Sequence, residues 1–395
     1  MRSVTLACTG LVVLVACATA GQDDGAAPPG HTNTDGGAED SGAPIADAGP
    51  DDADAPSVPD AERPLACGPT GMCETRLPTS DLGEPLSLRG VWVVASNDVW
   101  SVSAQGLIVH YDGTSWTTSH RANRALYSIW GTATDVWAGG EQGLLLHRSA
   151  GGSWTRVETG HLQPIRSIYG NSPSDVWFTG RLGALDHFDG AKLTSFSTGL
   201  PELHITTIFG RPGFEVYAAG YVEGQMNDWA VFQDEPYVFE LSSTAISPFN
   251  TSLTSNLAFV PVAGVAINAT DDAPRVALFG YEHHYGMFIS RYSAFGRDTP
   301  AVIDYTMEPP VGAAPGQEPP LLLPPPTHLA WGNAWNDIRI MQTVDRIVRW
   351  DGTTFRREPI NMGYSFIPSP VFGIHGNSEH MWIVGDGFAL KGATQ

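Results

Sequence analysis

The densest group of side chains able to hold a metal or move a proton is Glu282, His283, His284 and Tyr285. Imidazoles ligate transition metals, and a carboxylate beside a histidine is the raw material of acid–base catalysis. Neighbouring side chains on an extended chain point to opposite faces, so both histidines reach one ion only where the backbone turns. The local pattern places them in such a turn, and a solvent-exposed pair is the plainer reading. No metal site is therefore assigned, with His283 and His284 the weak candidates. Three other histidines, His110, His147 and His187, recur at matching places in the chain. They belong to separate repeats and are expected to lie too far apart to share an ion. Asp98, Asp135 and Asp175 also recur, and their carboxylates are expected to accept backbone N–H groups of turns. Trp100, Trp137 and Trp177 follow each of them by two residues, a spacing that argues packing between repeats rather than an aromatic sugar platform. The chain has no Gly-x-Ser-x-Gly, phosphate-cradling loop or His-Glu-x-x-His. No catalytic residue and no cofactor is assigned.

These residues recur because the chain does. VWVVASNDVW at Val91–Trp100 returns as IWGTATDVW at Ile129–Trp137, IYGNSPSDVW at Ile168–Trp177 and IFGRPGFEVY at Ile208–Tyr217. A second half follows each time: HYDGTSW from His110, HRSAGGSW from His147, HFDGAKL from His187 and, later, RWDGTTF from Arg349. Short runs of Val, Ile, Trp and Tyr between Gly, Asn and Asp clusters are strands. Asp112-Gly113, Asp189-Gly190 and Asp351-Gly352 are hairpin signals of the type I′ kind. Four strands in about forty residues describe a propeller blade. First strands near Val91, Ile129, Ile168, Ile205, Phe259, Leu329 and Val371 predict an all-β fold, a single seven-bladed β-propeller closed by pairing its two ends. The segment Glu74 to Leu88 is expected to supply the closing strand. Ser242 to Asn256 and the proline-rich stretch Glu308 to Pro326 are expected insertions.

The first ninety residues differ. Val4 to Ala16 is an apolar run behind Arg2, too short to span a bilayer and suited to a signal peptide. Leu14, Val15, Ala16 and Cys17 resemble the lipobox of bacterial lipoproteins, which implies cleavage before Cys17 and lipidation of its thiol. Ala18 follows, where an Asp would resemble an inner-membrane retention signal, so the outer membrane is favoured. From Ala18 to Arg63 the chain is chiefly Ala, Asp, Gly, Pro, Ser and Thr with eleven acidic residues, too poor in apolar surface to offset ordering entropy. As a random coil such a tether spans about 35 to 40 Å. Cys67 and Cys73 are the pair left after the signal and the lipidated thiol are removed, and an even remainder in an exported chain reads as a disulfide. The expected plan is a signal peptide over 1–16, a lipidated and disordered acidic linker over 17–63, a disulfide loop and closing strand over 64–90, and the propeller over 91–395.

Charge narrows the partners. The net of −21 includes 42 acidic residues and only two lysines, Lys192 and Lys391. Setting aside the acidic linker and Arg2 leaves about −11 on the rest, which disfavours nucleic acid, since phosphate contacts need clustered Lys and Arg. The repeated motifs resemble a propeller family of bacterial secreted proteins, many of them lipoproteins, with Asp-Val-Trp and His-Tyr-Asp-Gly-x-x-Trp units akin to WD40, YVTN and BNR propellers. They are also similar to Asp-box propellers such as sialidases, although Gly here follows Asp directly. The secreted family has no assigned function. The favoured reading is a cell-envelope protein, lipid-anchored, that binds or scaffolds a protein or glycan without catalysis, and a closed ring with few free sheet edges is expected to be monomeric. A glycan hydrolase and an envelope assembly factor are the alternatives. A cluster of arginines and carboxylates facing the central channel would favour the hydrolase.

Overall fold

The computed structural model describes residues 65, 67–68, 71–180, 182–224, 234–249, 260–266, 276–284, 287–295, 300–301, 329–343, 346–352, 355–359 and 370–394. They belong to one compact unit, Asp60–Gln395. The signal peptide, Cys17, the whole linker to residue 63 and the stretch 308–326 lie outside the described residues.

Every strand but one lies beside its chain neighbours, in antiparallel four-stranded sheets. The first blade shows the logic. Leu88–Ala95 is innermost, followed by Asp98–Ser103, Leu107–Tyr111 and Trp116–Arg121. The second strand is almost wholly buried, whereas the outermost alternates buried and exposed positions. This is why Val and Trp crowd the one and Thr and Ser the other: a strand covered on both faces reads as a continuous apolar run, and a strand with one wet face alternates. The innermost strands of the second to sixth blades are Leu126–Gly131, Ile168–Ser172, Leu203–Gly210, Val260–Ala266 and Ala330–Ala334. Each touches the innermost strand of the next sheet, and Val371–Gly376 touches Leu88–Ala95, which closes the circle.

The expectation of a single seven-bladed ring is corrected in composition. The chain builds six blades from consecutive strands, and the remaining sheet is a composite. Val371–Gly376, His380–Gly385 and Ala389–Ala393 come from the end of the chain, and Cys73–Thr75 comes from before the first blade. The closing strand is thus three residues long rather than the whole of Glu74 to Leu88, with Cys73 opposite Lys391 and Thr75 opposite Ala389. A disulfide joins Cys67 to Cys73 and ties the preceding chain to this strand. Behind it, Trp116 Nε1 donates to Thr75 Oγ1 at 3.0 Å, and the Trp116 and Tyr111 rings pack edge-on to Trp382.

Two further expectations change. Ala245–Pro248, inside the expected insertion from Ser242, is the outermost strand of the fourth blade. The Asp-Gly hairpins are not type I′. Tyr111 pairs with Trp116 and Phe188 with Leu193, leaving four-residue loops in which Gly113 and Gly190 have positive φ and the aspartates do not. Instead the Asp112 carboxylate accepts the Thr114 hydroxyl at 2.7 Å and the Ser115 and Thr114 N–H groups at 2.8 Å each, which together pull its pKa down to about 2. Asp189 accepts from Ala191 and Lys192 in the same way, and its pKa is lowered too.

Candidate functional site

The repeated aspartates do not serve the turns. Asp98 Oδ1 meets His110 Nε2 at 2.9 Å, Asp135 Oδ1 meets His147 Nε2 at 2.9 Å, and Asp175 Oδ1 meets His187 Nε2 at 2.8 Å. Each pair joins the second and third strands of one blade, and the tryptophan stacks on its own blade's imidazole. The ring centroids lie 4.2 Å apart for Trp100–His110, 4.0 Å for Trp137–His147 and 4.3 Å for Trp177–His187. Two of them also meet a ring of the next blade, Trp100 with Trp154 and Trp137 with Phe188, whereas Trp177 meets Phe196 of its own. In the sixth blade Asp337 takes two guanidinium groups instead, Arg339 at 2.9 Å and Arg349 at 3.0 Å. Carboxylate and ring nitrogen partner each other inside the blade under a stacked indole; the Trp100 N–H also donates to Asp98 Oδ1 at 2.7 Å, whereas the Trp137 and Trp177 N–H groups are buried without a hydrogen-bond partner.

His283 and His284 lie in the strand Val276–His284, opposite Phe288 and Met287, rather than in a turn. Among the described residues no three metal-ligating side chains come together.

The concave feature is the central channel. A cavity of about 590 Å³ lies on the axis, lined by the innermost strands of all the sheets. Its wall is aromatic at Tyr169, Phe209, Trp331 and His375, each the residue before a repeat glycine, and at Trp92, which holds the same place in the first blade but is followed by Val93. Each ring reaches over the next sheet. A Cβ on Gly170 would meet Trp130 at under 3.0 Å, and Gly210, Gly264 and Gly376 stand in the same relation to Tyr169, Phe209 and Trp331. Glycine is required there by close approach, not by a turn. Trp92 makes the same reach as a hydrogen bond, its indole N–H donating to the Gly131 carbonyl at 2.7 Å. At the seam, His375 Nδ1 accepts the Val93 N–H at 3.0 Å while its ring stacks 3.9 Å from Trp92. Burial pushes the His375 pKa down to about 3, so the ring is neutral and able to accept.

Arg211 is the formally charged side chain in the lining, in the turn after the fourth innermost strand, with Thr132, Asn377 and Ser378 as neighbouring polar groups. Tyr169 is buried with its hydroxyl unpartnered, and desolvation raises its pKa while the positive charge of Arg211 opposes that rise. No carboxylate lines the cavity among the described residues, so the arginine–carboxylate cluster that a hydrolase reading called for is not assembled there. None of these residues belongs to the Asp-Val-Trp or His-Tyr-Asp-Gly motifs. Their signal was the ring-glycine dipeptide at Trp130-Gly131, Tyr169-Gly170, Phe209-Gly210, Trp331-Gly332 and His375-Gly376.

Among solved structures, YCF48 bound to D1 peptide superposes with a TM-score of 0.54 at 13% identity, covering 84% of this chain and 99% of that one. YCF48 from Cyanidioschyzon merolae gives 0.57 at 13% identity over 82% and 99%. The shared fold is a β-propeller. The WD40 repeats of RRP9 match equally well, at 0.57 and 10% identity over 84% and 100%. No family model and no curated protein matches the chain.

Proposed function

We propose that this chain is a non-catalytic binding propeller whose axial cavity receives a segment of peptide, held outside the cytoplasm by a lipid on Cys17. The observation that carries the binding reading is the cavity of about 590 Å³, walled by rings and small residues and bearing Arg211 as its formal charge. Binding sites are concave, chiefly apolar and carry a few placed polar groups. One of the fold's relatives was solved with a peptide bound, which supports a peptide over a small metabolite. The envelope address rests on the lipobox-like Leu14 to Cys17 and is supported by the Cys67–Cys73 disulfide, a bond that persists in oxidising compartments.

A phage-displayed random peptide selection on the lipid-free chain, Cys17→Ser, tests the site. Selected peptides are expected to bind saturably and to lose at least tenfold in affinity on Arg211→Glu. Selected peptides whose affinity is unchanged by both Arg211→Glu and Trp331→Leu bind elsewhere and would overturn the assignment of the cavity.

A further inference from the structure

The ring that each innermost strand lays over the next sheet is missing once. On the innermost strand of the fifth blade the residues packed toward the sixth are Ala263 and Val265, which cluster with Ala277, Phe279, Ile338 and Trp350. The atoms crowding Gly332 belong to Asp337 and Ile338 of its own sheet, whereas Gly170, Gly210, Gly264 and Gly376 are each crowded by a ring from the preceding sheet. Ala263, Val265, Ala330 and Gly332 all line the axial cavity, so at this sector, here termed the recess, its wall is built of small residues and carries no ring of the repeat. On either side the wall is aromatic, Phe209 before the recess and Trp331 after it.

We propose that this recess is a specificity pocket for the aromatic side chain of a bound peptide, the guest ring occupying the sector where the protein's own ring is absent. The inference rests on the peptide-binding reading above and names what that site selects. A planar ring entering between Phe209 and Trp331 meets offset or edge-on partners of the kind aromatic pairs prefer. It also meets small apolar walls that exclude water, while a charged or amide side chain would be left with unpaired polar atoms.

The probes are N-acetyl-tryptophan and N-acetyl-alanine, which share a carboxylate and differ in the ring, added to the lipid-free Cys17→Ser chain and followed by saturation-transfer NMR. N-acetyl-tryptophan is expected to bind saturably and at least tenfold more tightly than N-acetyl-alanine. Ala263→Phe, which restores the ring of the repeat, is expected to abolish that preference with the thermal midpoint retained, and Val265→Phe serves as a second filling variant should the first fail to fold. Equal binding of the two probes, or an undiminished preference in a folded filling variant, overturns the pocket. Selected peptides that depend on Arg211 yet contain no aromatic residue would sink the pocket while leaving the peptide site standing. Selected peptides indifferent to Arg211 and Trp331 remove the site itself.

Discussion

At the scale of single residues, the repeated Asp, His and Trp form a load shared within a blade, and its cost of removal follows burial. The His187 side chain is 2% exposed and that of His110 is 28% exposed. Asp175→Ala leaves a buried ring nitrogen without its partner, a loss of about 1 to 3 kcal/mol. Asp98→Ala lets water replace the carboxylate, so its urea midpoint is expected to move less; equal shifts would mean that the pair does not hold the blade. His375 sets a different dependence. Its folded pKa, about 3, lies below the ordinary histidine value of 6.5, so the unfolded chain binds the proton first as pH falls. Stability is then fully present above pH 6.5 and drains away below it, by about 2 kcal/mol at pH 5. His375→Phe keeps a ring at the seam and is expected to flatten that part of the profile. An unchanged difference in urea midpoint between pH 7 and pH 5 would show that some other group is responsible.

At the scale of elements, strand positions were legible because the repeat writes them in full: the dipeptide Val-Trp for the second strand and Asp-Gly for the outer hairpin. The innermost strands of the fifth and sixth blades begin at Val260 and Ala330, one residue from their expected places at Phe259 and Leu329. Spacing carried them where motif had faded. What spacing could not show was partnership across the ladder. Asp98 and His110 are twelve residues apart, and only the register that puts Trp100 opposite His110 brings the carboxylate to the imidazole. The turn type at Asp112 was missed because an Asp side chain accepting two N–H groups competes with the type I′ backbone. Nor does composition disclose that a three-residue strand suffices for closure, since its hold comes from Trp116, the ladder to Ala389–Ala393 and the disulfide. Reducing that bond, or replacing Cys67 and Cys73 by Ser, frees a short loop and is expected to cost about 2 kcal/mol by the chain-entropy estimate. Hydrogen exchange should quicken at residues 389–391, and not in the third blade. Uniform quickening would mean that the closing strand unfolds only with the whole ring.

At the scale of the whole molecule, the order of the composite sheet decides where the chain enters the ring. Cys73–Thr75 is its outermost strand and Val371–Gly376 its innermost, so the N-terminal segment arrives at the rim and not at the axis. On the proposed lipid anchor, attachment would be separable from ligand capture, because among the described residues none that lines the cavity precedes Trp92. A lipid on Cys17 should therefore govern address without governing binding. Cys17→Ala, expressed in a bacterium that processes lipoproteins, is expected to lose labelling by radioactive palmitate and to move from the membrane to the soluble fraction. Its affinity for peptides selected on the Cys17→Ser chain is expected to stay within twofold, and its stability within about 0.5 kcal/mol, the usual bound for a change that touches no buried group. If the variant remains with the membrane and unlabelled, the association comes from the ring itself, and the acidic surface left after the linker's charge is set aside makes a partner protein, rather than an anionic lipid surface, the place to look for it.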